Sequence, residues 1–103
     1  MKMLAVTSCP SGVAHTYMAA EALENAAKEK GWNVKVETQG SYGIENRIEL
    51  EEVRDADFVL LTKDIAIKEE GRFTGKPIIR VGVADAVKKA PQIIEQIEKK
   101  LKK

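Results

Sequence analysis

The lone cysteine, Cys9, stands where the apolar run Met3-Leu4-Ala5-Val6-Thr7 gives way to Pro10-Ser11-Gly12-Val13 and then to Ala14-His15-Thr16, where a helix is expected to open. A thiol at the start of a helix faces unpaired backbone N–H groups and the positive end of the helix dipole. Both favour thiolate over thiol, and both can hold a phosphate carried on the sulfur. The spacing of Cys9, five residues, His15 and Thr16 suits that chemistry. A tight loop turns successive amides inward and grips phosphoryl oxygens without a cationic side chain. Pro10, Ser11, Gly12, Val13 and Ala14 form the expected cradle, with Gly12 permitting the close turn. Thr16 can hydrogen-bond the sulfur or a phosphate oxygen, and His15 can supply a proton or a positive charge beside the anion. Each residue has a plainer reading. Cys9 can be a buried structural thiol, Thr16 a helix-start residue bonded to its own backbone, and His15 a solvent-facing side chain.

The whole chain sets limits on that site. Its 103 residues suit one domain, 1–103, with a single core. Seventeen basic against sixteen acidic side chains leave a net charge of +1, so no global field points to nucleic acid or to an anionic membrane. Any anion binding has to be local. One cysteine forms no internal disulfide, and the N-terminus carries Lys2 and a short apolar strand but no signal-peptide core or cleavage site, so a reducing cytoplasm is expected. Apolar runs such as Phe58-Val59-Leu60-Leu61 are too short to span a bilayer, so no direct membrane insertion is expected and a membrane process would need a partner. No metal and no cofactor is expected.

Apolar runs alternate with amphipathic stretches, which predicts an α/β fold: a three-layer, open, doubly wound and mostly four-stranded parallel sheet in the order 2-1-3-4, with helices on both faces. The strands are expected near residues 3–8, 33–38, 57–62 and 77–81. Helices are expected over about 14–30, ended by Gly31, and 49–55. A further turn is expected after Asp64, breaking at Gly71, and the last helix starts from Pro91. The closing Lys99, Lys100, Lys102 and Lys103 read as a solvated helix end. Parallel strands share one carboxyl edge, where ligands of open α/β sheets bind. The loops Glu37-Thr38-Gln39-Gly40-Ser41 and Thr62-Lys63-Asp64 therefore meet Cys9, which makes their polar residues, Thr62 among them, candidates by geometry, and Gln39, Ser41 and Asp64 candidates for the rim or its support.

Cysteine-dependent phosphatases share the spacing of the first loop but carry arginine at the position of His15. Arginine offers a two-pronged fork for the equatorial oxygens of the transition state, which histidine does not reproduce. A phosphatase also needs an acid that later activates water against the phosphocysteine, and Asp64 is the candidate on this edge.

The string Cys9-Pro10-Ser11-Gly12-Val13-Ala14-His15-Thr16-Tyr17-Met18-Ala19-Ala20-Glu21-Ala22-Leu23 closely resembles the phosphorylated-cysteine segment of the fructose-type enzyme IIB domain of the bacterial phosphoenolpyruvate-dependent sugar phosphotransferase system. Val36-Glu37-Thr38-Gln39-Gly40-Ser41 with Gly43, and Asp57 through Asp64 followed by Arg72-Phe73-x-Gly75-Lys76, agree with the same family. The resemblance implies that Cys9 takes a phosphoryl group from a histidine of a IIA domain. It then passes the group to a sugar, fructose in the usual case, bound by a membrane-embedded IIC domain. The implied location is cytoplasmic, peripheral to the inner membrane through that partner. Ser11 stands where the family usually has Thr, and Tyr17 where it often has Phe, which leaves substrate preference open rather than the chemistry. Arg72 is a candidate for the phosphate rim or partner surface, against a plainer role as a solvated loop anchor. Val13, Tyr17 and Met18 are candidate docking residues, with core packing the rival use of Met18, and Phe73 reads as core. The alternative, a low-molecular-weight cysteine phosphatase-like hydrolase, is opposed by His15, by the lack of an Asp-Pro acid motif and by the lack of a second cysteine. A nucleotide or flavin module would leave Cys9 unexplained and needs a fuller glycine pattern than Gly12 supplies.

Overall fold

A computed structural model of the chain describes residues 1–9, 13–40 and 43–101. In chain order the elements are β1 (Lys2–Ser8), α1 (Val13–Glu29), β2 (Asn33–Gly40), β3 (Gly43–Glu45), α2 (Leu50–Asp55), β4 (Phe58–Thr62), a 3-10 turn (Glu70–Phe73), β5 (Ile78–Val81) and α3 (Val83–Leu101). The sheet runs β3-β2-β1-β4-β5. β1 pairs in parallel with β2 and β4, and β4 in parallel with β5. The four parallel strands thus lie among themselves in the order read from the sequence. The sheet as a whole departs from that reading, because β3 adds a fifth, antiparallel edge strand through the pair Gly40–Gly43. Three residues, Gly-Ile-Glu, are too few to show a strand's alternation.

The central strand β1 is apolar along most of its length because both of its faces are covered. Met3 and Ala5 join one cluster with Ala19, Leu23, Ala26 and Ala27 of α1 and Ala86, Ala90, Ile94 and Ile97 of α3. Leu4 and Val6 point the other way, against Ile48, Val53, Ile67 and Phe73. The pleat therefore divides one strand between two cores, and the molecule has three layers: α1 with α3, the sheet, and α2 with the 65–73 segment. Alanines on the buried stripe of α1 let its backbone lie close to the sheet, and Trp32 meets Phe58 edge to face at 5.9 Å.

Two further expectations differ from the structure. The segment after Asp64 forms no helical turn there, and Gly71 lies inside the 3-10 turn instead of ending a helix. α3 begins at Val83, eight residues before Pro91. Its backbone breaks at Lys89 (φ −127°, ψ 26°), so Pro91, which lacks an N–H and crowds the preceding turn, opens the second half of a kinked helix.

Candidate functional site

Cys9 follows the last residue of β1, half-buried and packed against the core beneath α1 and α3. The expected cradle residues Pro10, Ser11 and Gly12 lie outside the described residues, as does Ser41. Val13 opens α1, and Ala14 and His15 are exposed on its first turn. Thr16 is 2% exposed. A cleft of about 350 Å³ is lined by Cys9, His15, Met18, Asp64, Val83, Ala84, Val87 and Lys88. The carboxyl edge of the sheet thus brings Cys9, His15 and Asp64 to one hollow, between the starts of α1 and α3. The Asp64 carboxylate accepts the Val83 backbone N–H at 2.7 Å, which satisfies one of the orphan donors at the start of α3. Met18, 50% exposed, belongs to the cleft wall and not to the core, whereas Phe73 is fully buried as expected.

Gln39 and Arg72 do not line this cleft. They serve a buried network on the α2 side of the sheet, centred on Glu37. Arg72 donates from Nη1 and Nη2 to the two Glu37 oxygens at 2.7 and 2.6 Å, while the Ile48 N–H and the Gln39 amide add bonds of 2.8 Å each. The side chains of Arg72 and Glu37 are 6% and 0% exposed, so Arg72 is not the solvated anchor or rim residue that its sequence position suggests. Burial pushes the Glu37 carboxyl up, but the hydrogen bonds from Arg72, Ile48 and Gln39 and the Arg72 charge outweigh it and hold the group below its ordinary value. The Gln39 amide pairs twice with the Lys68 backbone, donating to its carbonyl at 3.0 Å and accepting its N–H at 2.8 Å. Gln39 thereby holds the 63–68 connection, which leaves the end of β4, against the end of β2.

Thr62, a candidate by loop geometry with no stated task, and Thr7, which the sequence did not single out, hold the backbone next to Cys9. The buried Thr62 hydroxyl accepts the Ser8 N–H at 3.0 Å and donates to the Ser8 carbonyl at 3.2 Å. The buried Thr7 hydroxyl donates to the Thr16 carbonyl at 3.0 Å. A polar side chain closing an otherwise apolar strand, as Thr62 does after Phe58-Val59-Leu60-Leu61, was the available signal. Among the described residues, no group of His, Cys, Asp and Glu side chains could hold a metal ion.

Residues 4–96 match the family described as "PTS system, Lactose/Cellobiose specific IIB subunit". The chain belongs to this IIB family of the phosphotransferase system. Within the IIB family its relatives are fructose-like. It is 67% identical over 97 residues to the "PTS system fructose-like EIIB component 2" of Escherichia coli (strain K12), covering 94% of this chain and 92% of that protein. It is 50% identical over 95 residues to the "PTS system fructose-specific EIIB'BC component" of the same strain, where the match takes up 92% of this chain and 17% of the longer protein. The solution structure of the Enzyme IIB subunit of the PTS system from Escherichia coli K12 superposes with a TM-score of 0.91 at 39% identity, covering 97% of this chain and 93% of that one. An arginine phosphatase, YwlE, shares the fold alone, with a TM-score of 0.55 at 17% identity. Among the described residues of this IIB chain, no helix is long and apolar enough to cross a membrane.

Proposed function

We propose that the chain, as a single IIB domain over residues 1–103, carries phosphoryl groups between two partners of a sugar phosphotransferase system. The Cys9 thiolate attacks the phosphorus of a phosphohistidine on a IIA domain. An S–P bond forms, the P–N bond breaks, and the histidine leaves with the electron pair. A sugar hydroxyl held by a membrane IIC domain then attacks the same phosphorus, losing its proton as the O–P bond forms and the thiolate departs. The relatives' names favour fructose or a similar sugar, and the fused EIIB'BC relative favours a IIC partner. The working place of such a carrier is the cytoplasmic side of the inner membrane, reached through IIC.

The observation that carries this reading is the cleft itself, in which Cys9 shares one hollow with His15 at the first turn of α1. In the expected cradle the backbone N–H groups of Ser11, Gly12, Val13 and Ala14 would hold the phosphoryl oxygens, Pro10, which has no N–H, would help set the turn, and Thr16 would stand behind the sulfur. Little chemistry is then asked of side chains, since phosphoryl transfer depends mainly on alignment and charge stabilisation. Met18 on the wall of the Cys9 cleft and Tyr17, its neighbour on α1, are both exposed and suit a small interface that forms and dissolves quickly. The phosphatase reading is weaker, because His15 offers no guanidinium fork for a hydrolytic transition state.

The test mixes the protein with phosphoenolpyruvate, the general phosphotransferase proteins and a fructose-type IIA, then locates the added phosphoryl group by peptide mass spectrometry. The expected result is one phosphoryl group on the Cys9 peptide and none on a folded Cys9→Ser variant in the same time. A Cys9→Ser variant that accepts phosphate as fast as the parent protein would overturn the assignment.

A further inference from the structure

We infer that Thr62, together with Thr7, is a positioning residue for phosphoryl transfer at Cys9, an inference that rests on the carrier reading. The last β1–β4 pair is Val6–Leu61, so the backbone ladder on that side of β1 stops two residues short of Ser8. Ser8 nevertheless has both of its main-chain groups bound on the β4 side, its N–H at 3.0 Å and its carbonyl at 3.2 Å, by the single hydroxyl of Thr62. The Ser8 carbonyl belongs to the peptide plane whose other end is the Cys9 nitrogen. One hydroxyl therefore sets the planes on both sides of Ser8 and with them the direction in which β1 delivers Cys9.

Thr7 acts at the far end of the same loop. Its hydroxyl donates to the Thr16 carbonyl, tying the first turn of α1 back onto β1 at 3.0 Å. The two ends of the segment that begins at Cys9 and leads into α1 are thus fixed by two fully buried threonine hydroxyls, one on each side. In-line attack on phosphorus tolerates little misplacement of the nucleophile, so a shift of the Ser8–Cys9 plane is felt in rate before it is felt in fold.

The test compares Thr62→Val, close in shape but without the hydroxyl, with Thr62→Ser, which keeps it. Two readouts are taken on variants shown to be folded by circular dichroism: the rate of phosphoryl acceptance from phosphorylated IIA, and the pH profile of Cys9 alkylation by iodoacetamide. Thr62→Val is expected to accept phosphate roughly ten- to a hundredfold more slowly, with a displaced alkylation profile, and Thr62→Ser to restore both. An unchanged rate or an unchanged profile in Thr62→Val, or a Thr62→Ser variant no better than Thr62→Val, overturns the inference. Should Thr62→Val not fold, Thr7→Val against Thr7→Ser applies the same criteria at the other end of the loop. Alkylation needs no donor protein, so its outcome stays readable even where the Cys9→Ser experiment rejects the carrier reading.

Discussion

Arg72 grips both carboxylate oxygens of Glu37 from 35 positions further along the chain, and the two side chains are almost wholly shut off from water. Two charges removed from solvent lose several kcal/mol each in hydration, and only close geometry with further hydrogen bonds compensates. Here Ile48 and Gln39 complete the carboxylate's bonding, while the Ile48 and Glu69 carbonyls take further N–H groups of the guanidinium at 2.8 and 3.0 Å. The pair joins β2 to the 3-10 turn and to the segment before α2.

Removing one partner leaves the other charged and buried. Arg72→Met is expected to lower unfolding free energy by about 3–5 kcal/mol in urea titrations. Adding Glu37→Gln should recover a large part of that loss, since no orphan charge then remains. A double variant as unstable as the sum of the two single ones would show that the charges are not coupled as the geometry requires.

Acid should weaken the fold through the same carboxylate. Glu37 is held below its ordinary value of 4.5, so the native state binds a proton there less readily than the unfolded chain does. The stability this contributes is fully present above about pH 4.5 and is lost as the pH falls through the lowered native value. Glu52, Glu69 and Glu70 are held low as well, by hydrogen bonds from Lys35, Arg47 and Arg80 respectively, but they sit at the surface, where salt screens them. Urea midpoints taken in high salt should therefore drop with acidity in the parent protein and run flatter in Glu37→Gln. Parallel curves would remove Glu37 from the acid transition.

His15 is exposed on the first turn of α1, so His15→Ala is expected to change stability by no more than about 0.5 kcal/mol. Its effect should fall on the rate of phosphoryl acceptance, measured by rapid quench against phosphorylated IIA. Equal rates in the two proteins would take His15 out of the mechanism.

Asp64 separates the carrier from a hydrolase. Asp64→Ala removes the acceptor for the Val83 N–H and should cost about 0.5–1.5 kcal/mol of stability. In a carrier the lifetime of the phosphoprotein in water stays as it was. A phosphoprotein that survives longer in Asp64→Ala would make Asp64 the acid that activates water, as the phosphatase reading requires.

The parallel core was legible because β1, β2, β4 and α1 carry periods long enough to count. The meeting of Asp64 with Cys9 followed from strand order, since parallel strands share a carboxyl edge, and that of His15 from its spacing after Cys9. What stayed hidden was set by distant partners or by local exceptions. Arg72 reads as a surface residue until Glu37 is seen beneath it, and nothing in the spacing of the two announces the contact. The first half of α3 was masked by Pro91, whose usual place at a helix start is met here by a kink. β3 was too short to register, and the service of Thr62 to Ser8 depends on where one strand ends beside another.

The brief β3 has a bearing on how such a module can be used. It lies along the outer margin of the eight-residue β2 for three residues only, with glycine at one end, while the opposite margin is a four-residue strand carrying Arg80. Beside β3 the Asn46 amide donates to the Val36 carbonyl of β2 at 2.9 Å, and the other border is four residues long, so neither is a long, continuous template for a foreign strand. Many copies can therefore crowd together, or be joined to larger polypeptides, without their sheets fusing end to end.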